Sequence, residues 1–282
     1  MNAPDLLPTV GLGMPSPEYH AAPGLGSSAL SALARSPWHY WAEYLAPDRP
    51  QRPSTPAMLA GTLAHTAILE PDELDRRYVV RPSWVDGRTK DGKAWIDEAK
   101  RCGAEIITAE QMATAKAQRE AVLAVPELAT LLASGQAEVS CFATDPATGV
   151  AVKGRMDWVH ELRDGRALIV DLKTSADITA PEFARSVLKY GYHRQQAHYT
   201  DVYQAATGRE VAGFLFATVS ATYPFLAVPY MLDDQAVAEG AGHRAKLLRR
   251  FAECSSTGIW PKPTEGVQLL SLPRWAQLEN VE

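Results

Sequence analysis

The stretch Gly154–Asp177, GRMDWVHELRDGRALIVDLKTSAD, decides how this chain is read. Its centre, Ala167-Leu168-Ile169-Val170, is an apolar, β-prone run suited to a sheet interior, yet it leads straight into Asp171 and Lys173. Either the strand surfaces there or the charges carry chemistry. The segment before it is also strand-like, and Arg163-Asp164-Gly165 between the two has the composition of a hairpin turn.

The length of that turn sets what the charges can do. With a two-residue loop, Asp164-Gly165, position 157 pairs with Leu172 and the two aspartates face opposite sides of the sheet. With a three-residue loop, Arg163-Asp164-Gly165, and Gly165 left-handed in a type I turn plus bulge, Asp157 pairs with Asp171. In that second register Asp157, Asp171 and Lys173 share a face. Adjacent carboxylates repel unless a cation sits between them, and a hard divalent ion with oxygen ligands, Mg²⁺ above all, meets that need. Lys173 then lies next to a metal-bound water, where it can orient or deprotonate it or stabilise charge on phosphorus. The rival reading makes Asp157 and Asp171 surface strand-end residues paired with Arg155 and Lys173.

Working outward, AEVSCFAT (137–144), VAVKGRMDWVH (150–160) and ALIVDLKT (167–174) read as three strands joined by turns. Upstream, Ser27 or Ser28 caps a first helix, and Ser36-Pro37 and Thr55-Pro56 open two more with N-cap and N1 chemistry. The second of these ends near Glu70-Pro71. A short strand at 78–81 precedes a helical region over about 93–133, interrupted near 102–108 and at Pro126. Downstream come helices at about 180–189 and 193–206, strands at 211–220 and 222–230, and a helix over about 233–253. The order implies an α/β (α+β) fold, one mixed central sheet flanked by helices. Residues 1–25, rich in Pro and Gly, are expected as a loose arm, 26–260 as one domain and 261–282 as a tail.

The 282 residues carry 46% hydrophobic and 22% charged side chains and a net charge of -5. That balance argues against coating nucleic acid by bulk attraction but leaves room for a local basic channel, with candidates at Arg76, Arg77 and Arg81, at Arg88, Lys90 and Lys93, at Arg185, Lys189, His193 and Arg194, and at 243–250. The three cysteines, widely spaced and without a CxxC pair, fit neither a disulfide framework nor a four-thiolate cluster. The start of the chain lacks the basic and apolar regions of a signal peptide, and no apolar run reaches the ~18 residues of a membrane span, so a cytoplasmic location without membrane contact is expected.

With its D, hydrophobic strand and D-x-K, the chain resembles the PD-(D/E)xK nuclease superfamily, GRMD supplying the first acidic residue and DLK the second with its lysine. Met156 stands where the name pattern has proline. GTLAHTAILEP resembles the helical histidine motif of the RecB-type branch, and RQQAHY its Q-x-x-x-Y helix, with Gln195 and Tyr199 one turn apart. SPWHYWAEYL, TPAMLAGTLAHTAILEP, DWVHE, DLKTSAD and KYGYHRQQAHYTD resemble segments of the RecE-type exonuclease domain, also called exodeoxyribonuclease VIII, over about residues 25–205.

The resemblance implies a restriction-endonuclease-like core and 5′ to 3′ degradation of linear double-stranded DNA, leaving 3′ tails for a RecT-like annealing partner. It also implies a homo-oligomeric ring and Mg²⁺, with Mn²⁺ as a substitute. The expected ligands are Asp157, Asp171, the Leu172 carbonyl and His65; Asp157, Asp171 and Lys173 are the catalytic set; Gln195, Tyr199 and Arg194 face DNA. Gln196 competes with Gln195, and Glu138 is a weak candidate for a second metal. The alternatives are a structure-specific or restriction-like endonuclease on the same site and a non-catalytic DNA-binding scaffold.

Overall fold

The structure, a computed structural model, describes residues 9–50, 55–263, 266–267 and 269–271. Its first part comprises β1 (Thr9–Gly11), α1 (Ser16–Ala21), α2 (Ser27–Arg35), α3 (Pro37–Tyr40), α4 (Pro56–Leu69), α5 (Leu74–Arg77) and β2 (Tyr78–Val80). Next come α6 (Lys90–Arg101), β3 (Glu105–Ile107), α7 (Ala109–Leu123), α8 (Pro126–Leu132), β4 (Gln136–Thr144), β5 (Ala151–Glu161) and β6 (Ala167–Ser175). The last part is α9 (Ala180–Tyr190), α10 (Tyr192–Thr207), β7 (Val211–Ser220), β8 (Ala227–Tyr230) and α11 (Asp234–Thr257).

Two of the three expected helix starts are formed by their caps, whereas α2 has Gly26 at its N-cap with no side-chain cap bond, so neither Ser27 nor Ser28 caps it. The Ser36 hydroxyl accepts from the His39 amide at 3.1 Å, and Thr55 accepts from the Met58 amide at 3.2 Å, each followed by proline at the first helical position.

Six strands form one sheet in the order β1-β4-β5-β6-β7-β8. All neighbours run antiparallel except β6 and β7, whose parallel pairing requires the crossover that α9 and α10 supply. The β5–β6 turn has the three-residue form. Gly165 N donates to Leu162 O at 2.9 Å, Gly165 has φ 84°, and Leu162 N donates to Arg166 O at 2.8 Å. Side chains of β6 alternate between two cores. Val170 and Leu172 pack with Ala64 and Ile68 of α4 and Val122 of α7, whereas Ile169 packs with Val202 of α10 and Leu248 of α11. A slip of one residue would exchange these faces and turn the Asp171 carboxylate into the apolar cluster of Ala64, Ile68 and Val122, so the cost of burying that charge without a partner enforces the register.

Three expectations need correction. Residues 9–25 are not a loose arm: β1 pairs with β4, Tyr19 is buried, and Leu25 exchanges backbone bonds with Ala151 and Lys153. The strand expected at 222–230 begins only at Ala227, because 221–225 are taken up in turning, closed by a Ser220 N to Leu226 O bond. The interruption near 102–108 contains β3, which pairs in parallel with β2. Beyond Trp260, which stacks on Tyr40 at 5.2 Å, most of the expected tail lies outside the described residues. No helix among the described residues is long and apolar enough to cross a membrane.

Candidate metal centre and active site

Two hairpin registers bring three acidic residues to one level of the sheet. Val139 stands opposite Met156 and Ala137 opposite Trp158, which sets Glu138 of β4 opposite Asp157 of β5. Trp158 stands opposite Val170, which sets Asp157 opposite Asp171 of β6.

The strands kink at this level. Met156 belongs to the core under α10, but Trp158, two residues on, packs on the α4 side, although a regular strand keeps such positions on one face. Glu138 adopts φ 52°, a left-handed conformation that costs a non-glycine residue on the order of 1–3 kcal/mol. Asp157 Oδ2 accepts a 2.8 Å hydrogen bond from Leu172 N, where a regular ladder offers a backbone carbonyl. The register is thus that of the three-residue turn, but the kink turns the Asp157 carboxylate toward the Leu172 amide and α4.

There it meets His65. His65 Nδ1 lies 3.7 Å from Asp157 Oδ2, and ligand atoms of His65, Glu138 and Asp157 all fall within 4.8 Å of one another. Beside them Asp171 is fully buried. Its Oδ1 accepts from Gln195 Nε2 at 3.1 Å; its Oδ2 is ion-paired with the Lys173 ammonium but accepts no hydrogen bond of regular geometry. Lys173 Nζ also sits 4.7 Å from the Tyr192 ring centre.

Burial raises the pKa of Asp171, and Asp157 adds to the rise while Lys173 opposes it. Burial and the Asp157 charge push Glu138 up to about 7. For Lys173 burial favours the neutral amine, but the attraction of Asp171 and Asp157 outweighs it and the net shift is upward, so without a bound cation the side chain is an ammonium. Crowded, desolvated carboxylates with an imidazole at their edge suit an oxygen-preferring divalent cation such as Mg²⁺ or Mn²⁺.

A stability prediction follows with a definite sign. Carboxyls whose folded pKa exceeds the unfolded value bind more protons folded than unfolded, so stability falls as pH rises from the ordinary carboxyl range through the folded value, about 7 for Glu138. The melting temperature of the metal-free protein is expected to drop between pH 5 and 7.5, and Glu138→Gln to flatten that drop. Parallel melting curves for the two proteins would count against it.

The site opens into a cleft of about 1170 Å³ lined by His65, Glu138, Asp157 and Tyr199, with Arg76 and Arg77 on the α5 side and Met14 to Pro17 on the other. Asp171 is sealed beside Asp157, and Lys173 keeps 14% of its side chain exposed. The Tyr199 ring lies across β5 at Gly154, where a Cβ would stand 3.2 Å from Tyr199 Cδ1. Arg194 is not brought to the site. It is buried, its guanidinium tucked under Gly191 and bonded to Ser31 Oγ at 2.9 Å. Gln196 is likewise buried, which leaves Gln195 as the glutamine at the acidic cluster. Glu138, given little weight in the sequence, takes a central place. The DPATG turn carried the signal, since it fixes Thr144 opposite Ala151 and hence Glu138 opposite Asp157.

A mixed sheet with an acidic hairpin and D-x-K defines a fold of the PD-(D/E)xK class. The chain belongs to the family described as PDDEXK-like domain of unknown function, whose profile matches residues 26–273. Among solved structures it is similar to one described as "Putative exonuclease" from Eubacterium rectale, at 19% identity and a TM-score of 0.60, covering 88% of each chain. Protein VC1899 from Vibrio cholerae aligns at 11% identity over 86% of this chain and 58% of that one, with a TM-score of 0.23, too low to bear on the fold. No curated protein matches the chain. At 19% identity the likeness shows the fold alone, and it agrees with the mixed sheet described above.

Proposed function

We propose that the protein is a metal-dependent deoxyribonuclease that degrades linear double-stranded DNA from its ends. The observation that carries this reading is the alignment of Glu138, Asp157 and Asp171 on three adjacent strands, with His65 and Lys173 at its edges. Like charges held together in a partly desolvated cleft are a liability to the fold and an asset to phosphodiester hydrolysis.

His65, Glu138 and Asp157 would hold the cation, with Asp171 completing the acidic set. When bound, a divalent cation polarises the scissile phosphate and offsets the charge that builds on it. Lys173, ion-paired with Asp171, directs the attacking water and stabilises the same charge from the protein side. Gln195 fixes the Asp171 carboxylate. Tyr199 floors the cleft, and Arg76 and Arg77, ion-paired with Glu73 and Glu70, supply phosphate-binding groups at its mouth.

The 5′ to 3′ direction, the 3′ tails passed to a RecT-like annealing protein and a homo-oligomeric ring rest on the resemblance of the sequence motifs. Attack from ends is tested with one DNA as a linear duplex and as a covalently closed circle in Mg²⁺. Loss of the linear form alone is expected. Cutting of the circle would make the protein an endonuclease, and binding without cutting would make it a scaffold.

A further inference from the structure

Residues 9–25 precede the matched family region, yet they form one wall of the cleft. β1 fastens this segment to β4, and Leu25 fastens its far end to β5, donating to Ala151 O at 2.8 Å and accepting from Lys153 N at 3.2 Å. Between these points two β5 side chains hold it. Lys153 Nζ donates to the carbonyls of Tyr19, His20 and Ala22 at 2.8, 3.1 and 2.6 Å. Arg155 donates from Nη2 to Met14 O at 2.6 Å and carries the Tyr19 ring 4.5 Å from its guanidinium carbon.

Arg155 also reaches the site. Its Nε donates to Ser140 Oγ at 2.9 Å, and its Nη1 lies 3.5 Å from Glu138 Oε2. The guanidinium, 11% exposed, is therefore fixed by the N-terminal segment on one edge and β4 on another, with the remaining nitrogen aimed at Glu138. Glu138 needs such a support, because its left-handed backbone does not hold the carboxylate in place by regular strand geometry.

We infer that Arg155 is a positioning residue for the metal centre: it orients the Glu138 carboxylate, and the N-terminal segment orients Arg155, so residues 9–25 are a working part of the site. The inference rests on the metal-site reading above. A carboxylate ligand is commonly oriented by an outer hydrogen-bonding partner, and loss of such a partner costs about 10- to 100-fold in metal affinity. The opposing effect is a cation repelling a cation, and the sign of the change in metal affinity decides between the two.

The test is calorimetric titration of the full chain with Mn²⁺, which needs no DNA and no turnover. Arg155→Met is expected to bind Mn²⁺ about 10- to 100-fold more weakly than wild type, and Arg155→Lys to recover part of the loss. Tyr19→Leu, which keeps the wall packed but removes the ring from the guanidinium, is expected to lose about 2- to 5-fold; it carries the test if Arg155→Met does not fold. A merely structural role would lower the melting temperature of the metal-free variants without changing Mn²⁺ affinity. Wild-type affinity or tighter binding in the folded variants would overturn the inference and leave the metal site standing, whereas absence of Mn²⁺ binding by wild type would overturn both.

Discussion

Asp171→Asn is expected to lower Mg²⁺-dependent cleavage of linear duplex DNA by at least about 10³-fold, a loss of roughly 4 kcal/mol of transition-state stabilisation, while the chain stays folded. Asn preserves shape and can still face Gln195, but it removes the charge that burial and Asp157 already disfavour. The same change relieves repulsion in the metal-free protein, so its melting temperature at pH 7.5 should hold or rise. Loss of activity with retained stability is the mark of a residue kept for chemistry at the expense of the fold. Asp171→Ala is the poorer probe, because it opens a cavity beneath Gln195 and removes the side-chain oxygen that Asn still offers to Gln195 and to the Lys173 ammonium. Wild-type cleavage by Asp171→Asn would remove Asp171 from the mechanism.

Lys173→Met is expected to separate rate from binding. In the proposed mechanism the side chain acts as a fixed cation near the scissile phosphate and not as a metal ligand, so its removal should cost about 10²- to 10⁴-fold in rate with Mn²⁺ affinity close to wild type. Arginine is not expected to rescue it, since a planar guanidinium cannot occupy the position of Nζ between Asp171 and the Tyr192 ring. Equal losses of metal affinity and rate would assign Lys173 the structural task of neutralising Asp171.

What could be read in the sequence follows from which features are local. The helix starts at Ser36-Pro37 and Thr55-Pro56 and the Asp-Gly turn before β6 are written in neighbouring residues, so they are legible one segment at a time. The turn length was an open choice between two registers; the Leu162 to Gly165 bond settles it, and with it Asp157 opposite Asp171.

Features that depend on distant contacts were not legible. β1 is three residues long and exists because β4 offers an edge, while α1 lies where Lys153 collects three carbonyls. Arg194 reads as a surface cation from composition, yet the left-handed Gly191 leaves room for its guanidinium to fold back against α2. The kink at Glu138 and Asp157 breaks the period-two rule itself, so alternation alone does not give the direction of the Asp157 carboxylate. Such a break falls where function is expected to override local regularity.

In the proposed site His65, Glu138 and Asp157 hold a catalytic divalent cation next to Asp171. Anomalous diffraction from crystals soaked in Mn²⁺ tests it most directly. A peak is expected in the cleft within about 2–2.5 Å of a His65 ring nitrogen and of carboxylate oxygens from Glu138 and Asp157. A peak that avoids these side chains, or no peak at a Mn²⁺ concentration that supports cleavage, would contradict it.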